Sequence, residues 1–371
     1  MPIFTIEHRQ GKARTGLLKT KTCTIRTPFF MPVSTKAAAK HLSAEDLVSI
    51  GAQATICNSY ILSLRPGVPV IKKLGGIGKF MRFPGAIFTD SGGFQMYSKT
   101  FWVKTTHKGV IFKNPFSGER LLVTPEDSMK IQYELGSDVA MCLDHMPLIE
   151  NSKEEIEQAV QTTSEWAGRC KIAHDKLRKK QKNLQLLFGI TQGGIHDDLR
   201  RQSAKELKEL DFDGYALGGL ALGEDKQDEF RMIELQKRIM PEEKICYLMG
   251  VGDPLELLEA VSRGVDCFDS RFPTQNARRG TIFTSEGKLR LLSRPYEKDG
   301  KPLDTKCNCF VCRNYSRAYI RYQLLQQEGV GFRLASYHNL YYLQMLMEKA
   351  QEMIKRGKLH LMKKHLAGLY E

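Results

Sequence analysis

Two aspartates, Asp90 and Asp269, each close a short apolar run and lead into a turn. The strings are Thr89-Asp90-Ser91-Gly92-Gly93-Phe94-Gln95 and Phe268-Asp269-Ser270-Arg271-Phe272-Pro273-Thr274. Paired carboxylates divide nucleophile and acid/base roles in glycosyl transfer with retention, at separations of about 5–5.5 Å in glycosidases. Asp144 supplies a third carboxylate, able to accept two hydrogen bonds from the N1–H and exocyclic amine of a guanine-like edge. Each of the three could equally serve as a helix N-cap. Two more apolar runs end in glycine, in Gly189-Ile190-Thr191-Gln192-Gly193-Gly194 and Leu217-Gly218-Gly219-Leu220. Bare backbone of this kind suits a flat ligand read by N–H and C=O groups, and it suits a tight βα turn equally well.

A second chemistry sits near the C-terminus. Cys307, Cys309 and Cys312 form a C-x-C-x-x-C cluster, and His338 follows 338 − 312 = 26 positions later. Three thiolates and an imidazole make the ligand set of a closed tetrahedral structural zinc site, which stabilises a fold and performs no reaction. One structural Zn2+ is therefore expected, and the reacting groups should lie elsewhere.

These residues need elements to position them. Apolar runs cover 27–34, 52–58, 86–90, 138–144, 184–192, 215–219, 245–250 and 265–269, and helix-like segments such as 153–176, 197–210 and 254–263 lie between several of them. Runs this apolar without strict alternation suit parallel strands buried on both faces. Eight of them predict an α/β fold, a (β/α)8 TIM-type barrel, with a doubly wound open sheet as the competing arrangement. Asn58, Asp90, Asp144, Gln192 and Asp269 would then share the C-terminal rim, where such barrels build their sites. The expected organisation is a barrel over 1–280, a zinc-binding subdomain over 281–344, and a C-terminal helix over 345–371 that packs back on the barrel. Helical periodicity over 340–369 supports the last element.

The chain has 371 residues, 42% hydrophobic and 26% charged, with a formal net charge of +14. This reads as a globular protein whose basic excess fits a polyanion such as nucleic acid, or a solvated basic surface. The start, Met1-Pro2-Ile3-Phe4, lacks the apolar stretch of a signal peptide. No apolar run approaches the ~20 residues of a membrane span. Several of the nine cysteines sit inside apolar runs. The expectation is a reduced, cytoplasmic protein with no membrane association.

Taken together, five strings resemble those of the tRNA-guanine transglycosylase family. They are Asp90–Gln95, Gly189–Gly194, Gly214-Tyr-Ala-Leu-Gly-Gly-Leu220, Tyr247-Leu-Met-Gly-Val-Gly252 and Phe268–Thr274. Cys307, Cys309, Cys312 and His338 match that family's zinc ligands in type and order. The resemblance runs from about Phe4 to the tail. It implies a (β/α)8 barrel with a C-terminal zinc-binding subdomain, and exchange of a guanine in tRNA for a 7-deazaguanine base. Asp269 would be the nucleophile on ribose C1′ and Asp90 the general acid/base. Ser91, Gln95, Asp144, Gln192 and the Gly219 N–H would meet the base, with the Leu220 carbonyl near its 7-substituent. Phe94 and Met249 would sandwich the ring, and Tyr247 would lie near the nucleotide. Arg271, Arg278 and Arg279 would contact RNA, and two chains would form a homodimer.

The sequence departs from the family pattern at Asn58-Ser59-Tyr60-Ile61, at Asp144-His145-Met146, and at Ser270 and Gln275. The first leans towards archaeal members, which exchange position 15 with preQ0. The lack of the extra C-terminal domains of those members favours anticodon position 34. Leu222 and Met146 should shape the space around the 7-substituent, and bulky Leu222 favours preQ1 over queuine. The alternatives are position-15 exchange and a non-catalytic, zinc-containing tRNA-binding subunit. The leading reading requires the carboxyl groups of Asp90 and Asp269 to face one cavity.

Overall fold

In the computed structural model, residues 2–92, 102–148, 150–181 and 184–370 are described. Eight parallel strands form its centre. We label them β1 (Phe29–Pro32), β2 (Ala54–Asn58), β3 (Ala86–Asp90), β4 (Val139–Met141), β5 (Leu186–Thr191), β6 (Gly214–Leu217), β7 (Ile245–Leu248) and β8 (Cys267–Ser270). Each coincides, within three residues at its ends, with one of the eight apolar runs. Their hydrogen-bonded order is β1-β8-β7-β6-β5-β4-β3-β2. A parallel bridge from Val33 to Ile56, with the Ser34 N–H donating to the Ile56 carbonyl at 2.7 Å, links β1 to β2. The sheet thus curls into a nearly closed barrel, which excludes the open doubly wound arrangement.

Why these strands lack simple alternation is clear from where their side chains go. Phe29, Met31, Ala54, Ile56, Ala86, Phe88, Val139, Met141, Leu186, Phe188, Ile245 and Tyr247 alternate along their strands and fill the barrel interior. The intervening residues, among them Phe30, Cys57, Ile87, Leu248 and Phe268, belong to a different cluster outside the barrel. Both faces are buried, so both are apolar. Phe4, Leu18 and Ile25 join the interior cluster from an antiparallel sheet of Phe4–Gln10, Ala13–Lys19 and Thr24–Thr27. They pack where the N-terminal ends of the strands lie and leave the opposite rim open.

The expected helices at 153–176, 197–210 and 254–263 appear as Lys153–Gln181, Asp197–Glu209 and Pro254–Ser262. The C-terminal periodicity resolves into two helices, Gly329–Lys355 and Leu359–Tyr370. Gly357 separates them with φ +68°. The Gly357 N–H donates to the Ile354 carbonyl and the Lys358 N–H to the Met353 carbonyl. That pairing ends a helix on a left-handed glycine. Periodicity alone could not show the break, because Leu359, Met362 and Leu366 continue an apolar stripe on the second helix. The longer helix lies against β1, where Gln344 and Gln351 donate to the Phe30 and Pro28 carbonyls at 3.1 and 2.9 Å. Among the described residues, no helix is long and apolar enough to cross a membrane.

Candidate active site

The open rim holds a cavity of about 340 Å³, and residues that end or follow six different strands face it. Asp90 ends β3 and Asp269 lies in β8, and both line this one cavity. Asp144 after β4, Gly218 to Leu222 after β6, and Met249 and Gly250 after β7 line it as well. The geometric requirement set by the sequence is met, and the reason is topological: parallel strands deliver their C-terminal ends to one side.

Each carboxylate is held differently. The Tyr247 hydroxyl donates to Asp269 Oδ1 at 2.5 Å, and the Gly250 N–H approaches the same oxygen at 3.3 Å. Among the described residues, these hydrogen bonds fall on Oδ1 and none on Oδ2. Burial pushes the Asp269 carboxyl above the usual range, while Tyr247, Gly250 and the Arg271 charge pull it back. Tyr247 is wholly buried, and burial together with the adjacent Asp269 charge keeps its phenol protonated. It is therefore a fixed donor that orients Asp269.

Asp90 is held by backbone groups. Its Oδ1 accepts the Gly92 N–H at 2.9 Å, and its backbone carbonyl accepts the Ser59 hydroxyl at 2.6 Å. Burial raises its carboxyl to about 7, offset in part by the Gly92 bond and reinforced by the charges of Asp269 and Asp144. A carboxyl near neutrality can give and take a proton at physiological pH. Asp144 is also raised by burial, to about 6, and is held down by hydrogen bonds from Gln192 and Ser91. Gln192 Nε2 donates to Asp144 Oδ2 at 2.7 Å, which turns its Oε1 away, and that buried oxygen has no hydrogen-bond partner among the described residues.

Gly219 completes this wall at φ +63°. A methyl group there would stand 2.4 Å from Gln192 Oε1, so the turn tolerates no side chain. The Glu224 carboxylate then accepts the Ala221 and Leu222 N–H groups at 2.5 and 2.9 Å. Because a trans peptide opposes its N–H and C=O, the Leu220 carbonyl lies on the side of that plane away from Glu224. Met146, Leu222 and Gln275 line the cavity too. Together these groups form a narrow polar slot beside two carboxylates, suited to a flat heterocycle whose edge carries both donors and acceptors.

Several expected residues stand apart from that slot. Phe94 and Gln95 lie outside the described residues. Arg271 lines the cavity, whereas Arg278 and Arg279 sit at the far end of the helix Phe272–Arg278. Arg278 is lowered by burial and by the neighbouring Arg279 and Arg271 charges. Glu224, Ser59 and Arg200 were not singled out from the sequence. Arg200 left a signal there: it shares the i, i+3, i+4, i+7 face of Ser203, Ala204 and Leu207, and all four are buried.

The Cys307, Cys309, Cys312 and His338 ligand atoms all lie within 4.8 Å of one another. His338 Nδ1 is 3.9, 3.5 and 3.3 Å from the three sulfurs in chain order. A tetrahedral ion with Zn–S near 2.3 Å and Zn–N near 2.05 Å requires an S···N edge of about 3.6 Å. His338 Nε2 lies 2.8 Å from the Phe283 carbonyl, which fixes the ring with Nδ1 facing the thiols. The donor set fits one metal ion. Asn339, the next residue, bonds to the Pro273 and Thr281 carbonyls and the Phe283 N–H, each at 3.0 Å. The cluster is thereby tied to the segment that follows Asp269.

Comparison with known proteins agrees in extent. The family model described as queuine tRNA-ribosyltransferase matches residues 9–371. A queuine tRNA-ribosyltransferase of Fusobacterium nucleatum is 45% identical over 370 residues, covering 99% of this chain and 98% of its own. Proteins of the same name from Shouchella clausii and Staphylococcus aureus are 47% and 45% identical, over 95% and 97% of this chain and 92% and 94% of theirs. With a barrel, a shared carboxylate cavity and a Cys3His cluster in one chain, the match leaves no part of the architecture unaccounted for: the chain belongs to the queuine tRNA-ribosyltransferase family.

Proposed function

We propose that this protein exchanges a guanine in tRNA for a 7-deazaguanine base, through a covalent bond between Asp269 and ribose C1′. The observation that carries this reading is the convergence of Asp90 and Asp269 on one cavity that Asp144 and Gly219 also line, with Gln192 behind the wall, donating to Asp144. The target nucleotide leaves the base stack to enter it. Asp144 accepts from the N1–H and exocyclic amine, the Gly219 N–H donates to the carbonyl edge, and Met249 covers one face. Asp269 Oδ2 attacks C1′ as the C1′–N9 bond breaks, and Asp90 supplies the proton that the departing guanine takes up. The incoming base gives its N9 proton to Asp90, and N9 displaces Asp269 from C1′. Two inversions give net retention, and one glycosidic bond replaces another of similar energy, so no nucleotide hydrolysis is required.

We assign the modified nucleotide to anticodon position 34, as the resemblance of the sequence motifs implies. Leu222 and Met146 on the cavity wall favour preQ1 over a base with a larger 7-substituent. Labelled guanine should enter position 34 on incubation with unmodified tRNA, and preQ1 should compete better than preQ0 or queuine. Label confined to position 15 would replace this reading with the archaeal-type one, and no incorporation would favour a non-catalytic subunit. Arg271, Arg278 and Arg279 supply positive charge for the RNA backbone around the cavity. The metal is zinc, which when bound supplies cross-linking and no chemistry at the sugar. Exposed Phe310, Tyr319, Tyr322, Leu325 and Val330 near the cluster support a homodimer through this region.

The carboxyl groups also set a pH dependence. Asp90 must be protonated to assist departure, so kcat/KM should fall as pH rises through about 7. Asp144 must be ionised to accept two donors, so base affinity should fall as pH drops through about 6. Asp144→Asn should remove that lower limb and raise the base KM. A lower limb that survives in Asp144→Asn would assign it to another group.

A further inference from the structure

Arg200 is wholly buried. Among the described residues its guanidinium touches no carboxylate, and it donates to three backbone carbonyls. Nε reaches Gly194 at 2.7 Å, Nη1 reaches Thr191 at 3.4 Å, and Nη2 reaches Gly219 at 3.1 Å. Gly194 lies in the turn after β5, Thr191 ends that strand, and Gly219 belongs to the turn after β6. Those turns carry Gln192, which donates to Asp144, and Gly219, whose N–H meets the base in the proposed reaction. Removing a cation from water without a carboxylate in contact is unfavourable, and the charge of nearby Glu224 offsets part of that cost. An apolar side chain here would leave the three carbonyls without this donor, so the guanidinium is held by the turns it joins.

We infer that Arg200 is a positioning residue that locks the two glycine turns to each other and so sets the affinity of the site for the purine base. The guanidinium is planar, with donors in a fixed fork, so carbonyls held by one fork cannot drift independently. Pinning the Gly219 carbonyl fixes the 219–220 peptide plane. Glu224 grips the same turn from its other end through the Ala221 and Leu222 N–H groups. The turn is thus held between a buried cation and an anion. Packing is already at its limit: a Cβ on Gly219 would lie 2.4 Å from Gln192 Oε1 and 3.6 Å from Arg200 Nη2. A small shift of either turn would misplace the Gly219 N–H against a ring whose edge Asp144 also holds.

This inference rests on the base-exchange reading, and two measurements separate them. Guanine binding is measured by calorimetry, and exchange by incorporation of labelled guanine into tRNA, for the wild type, Arg200→Met and Arg200→Lys. Methionine removes every donor, and lysine keeps the charge but offers a single donor atom. Arg200→Met should weaken guanine binding and raise the base KM by roughly tenfold or more, the scale on which small misplacements act. The tRNA KM should rise several-fold less than the base KM, because most contacts of a tRNA are to its phosphate backbone outside the cavity. Arg200→Lys should recover part of the loss. Should methionine prevent folding, the ratio of base to tRNA KM in Arg200→Lys decides the matter. Unchanged guanine affinity, or guanine affinity, tRNA affinity and Tm falling together, would overturn the inference. A wild type that binds guanine without exchanging it would overturn the reaction and leave the role of Arg200 standing.

Discussion

Replacing Asp269 with asparagine should abolish base exchange and the covalent RNA adduct together. The amide keeps the shape of the side chain and loses the nucleophile. Removing a nucleophile that works as part of a unit lowers kcat by about 10⁴-fold or more. The expected readout is a denaturing gel on which wild-type protein shifts labelled tRNA in the presence of a 7-deazaguanine base and Asp269→Asn does not. An adduct that forms normally in Asp269→Asn would move the nucleophile to another residue. Asp90→Asn should instead block turnover, because the proton carrier is lost while Asp269 remains. It carries a second signature in stability. A carboxyl raised to about 7 in the folded protein binds a proton there that the unfolded chain, near 3.8, has released. Stability therefore falls as pH rises from about 4 to 7, and the penalty is fully present above 7. Asp90→Asn removes it, so the variant should melt at a higher temperature than the wild type at pH 8, with the gain vanishing near pH 4. Equal melting at both would mean that Asp90 is not desolvated as the geometry requires.

The second large effect is expected at the metal cluster. Cys309→Ser should lose the bound ion and unfold the C-terminal unit, and strong chelation should do the same to the wild type. Metal binding by a closed thiolate set is folding free energy, on the order of 10 kcal/mol in small zinc domains. The consequence should reach the active site, because His338 and Asn339 sit on the helix Gly329–Lys355, and Asn339 bonds to the Pro273 carbonyl four residues after Asp269. Metal analysis should give about one zinc per wild-type chain and almost none in Cys309→Ser. A variant that is metal-free, fully folded and as active as the wild type would make the cluster dispensable.

The eight strands were legible because burial on both faces leaves a local mark: each run is mostly apolar and stops at a polar or glycine residue. The metal ligands were legible for a similar reason, since three cysteines within six residues have few other uses. The carboxylates at 90, 144 and 269 stood out by their place at the ends of runs. Their orientation was not written in the chain. Tyr247 and Asp269 are 22 residues apart, Gln192 and Asp144 are 48 apart, and each pair meets only because neighbouring strands of a closed barrel end on one rim. Arg200 shows the same limit. Its partners at 191 and 194 are local, but the carbonyl at 219 comes from the next strand. Residue type and spacing determined which groups this protein has and which elements carry them. Barrel closure decided which of those groups touch, how deeply each is desolvated, and hence which carboxyl titrates near neutrality, because contact and dielectric depend on distance in space and leave no trace at one position of the chain.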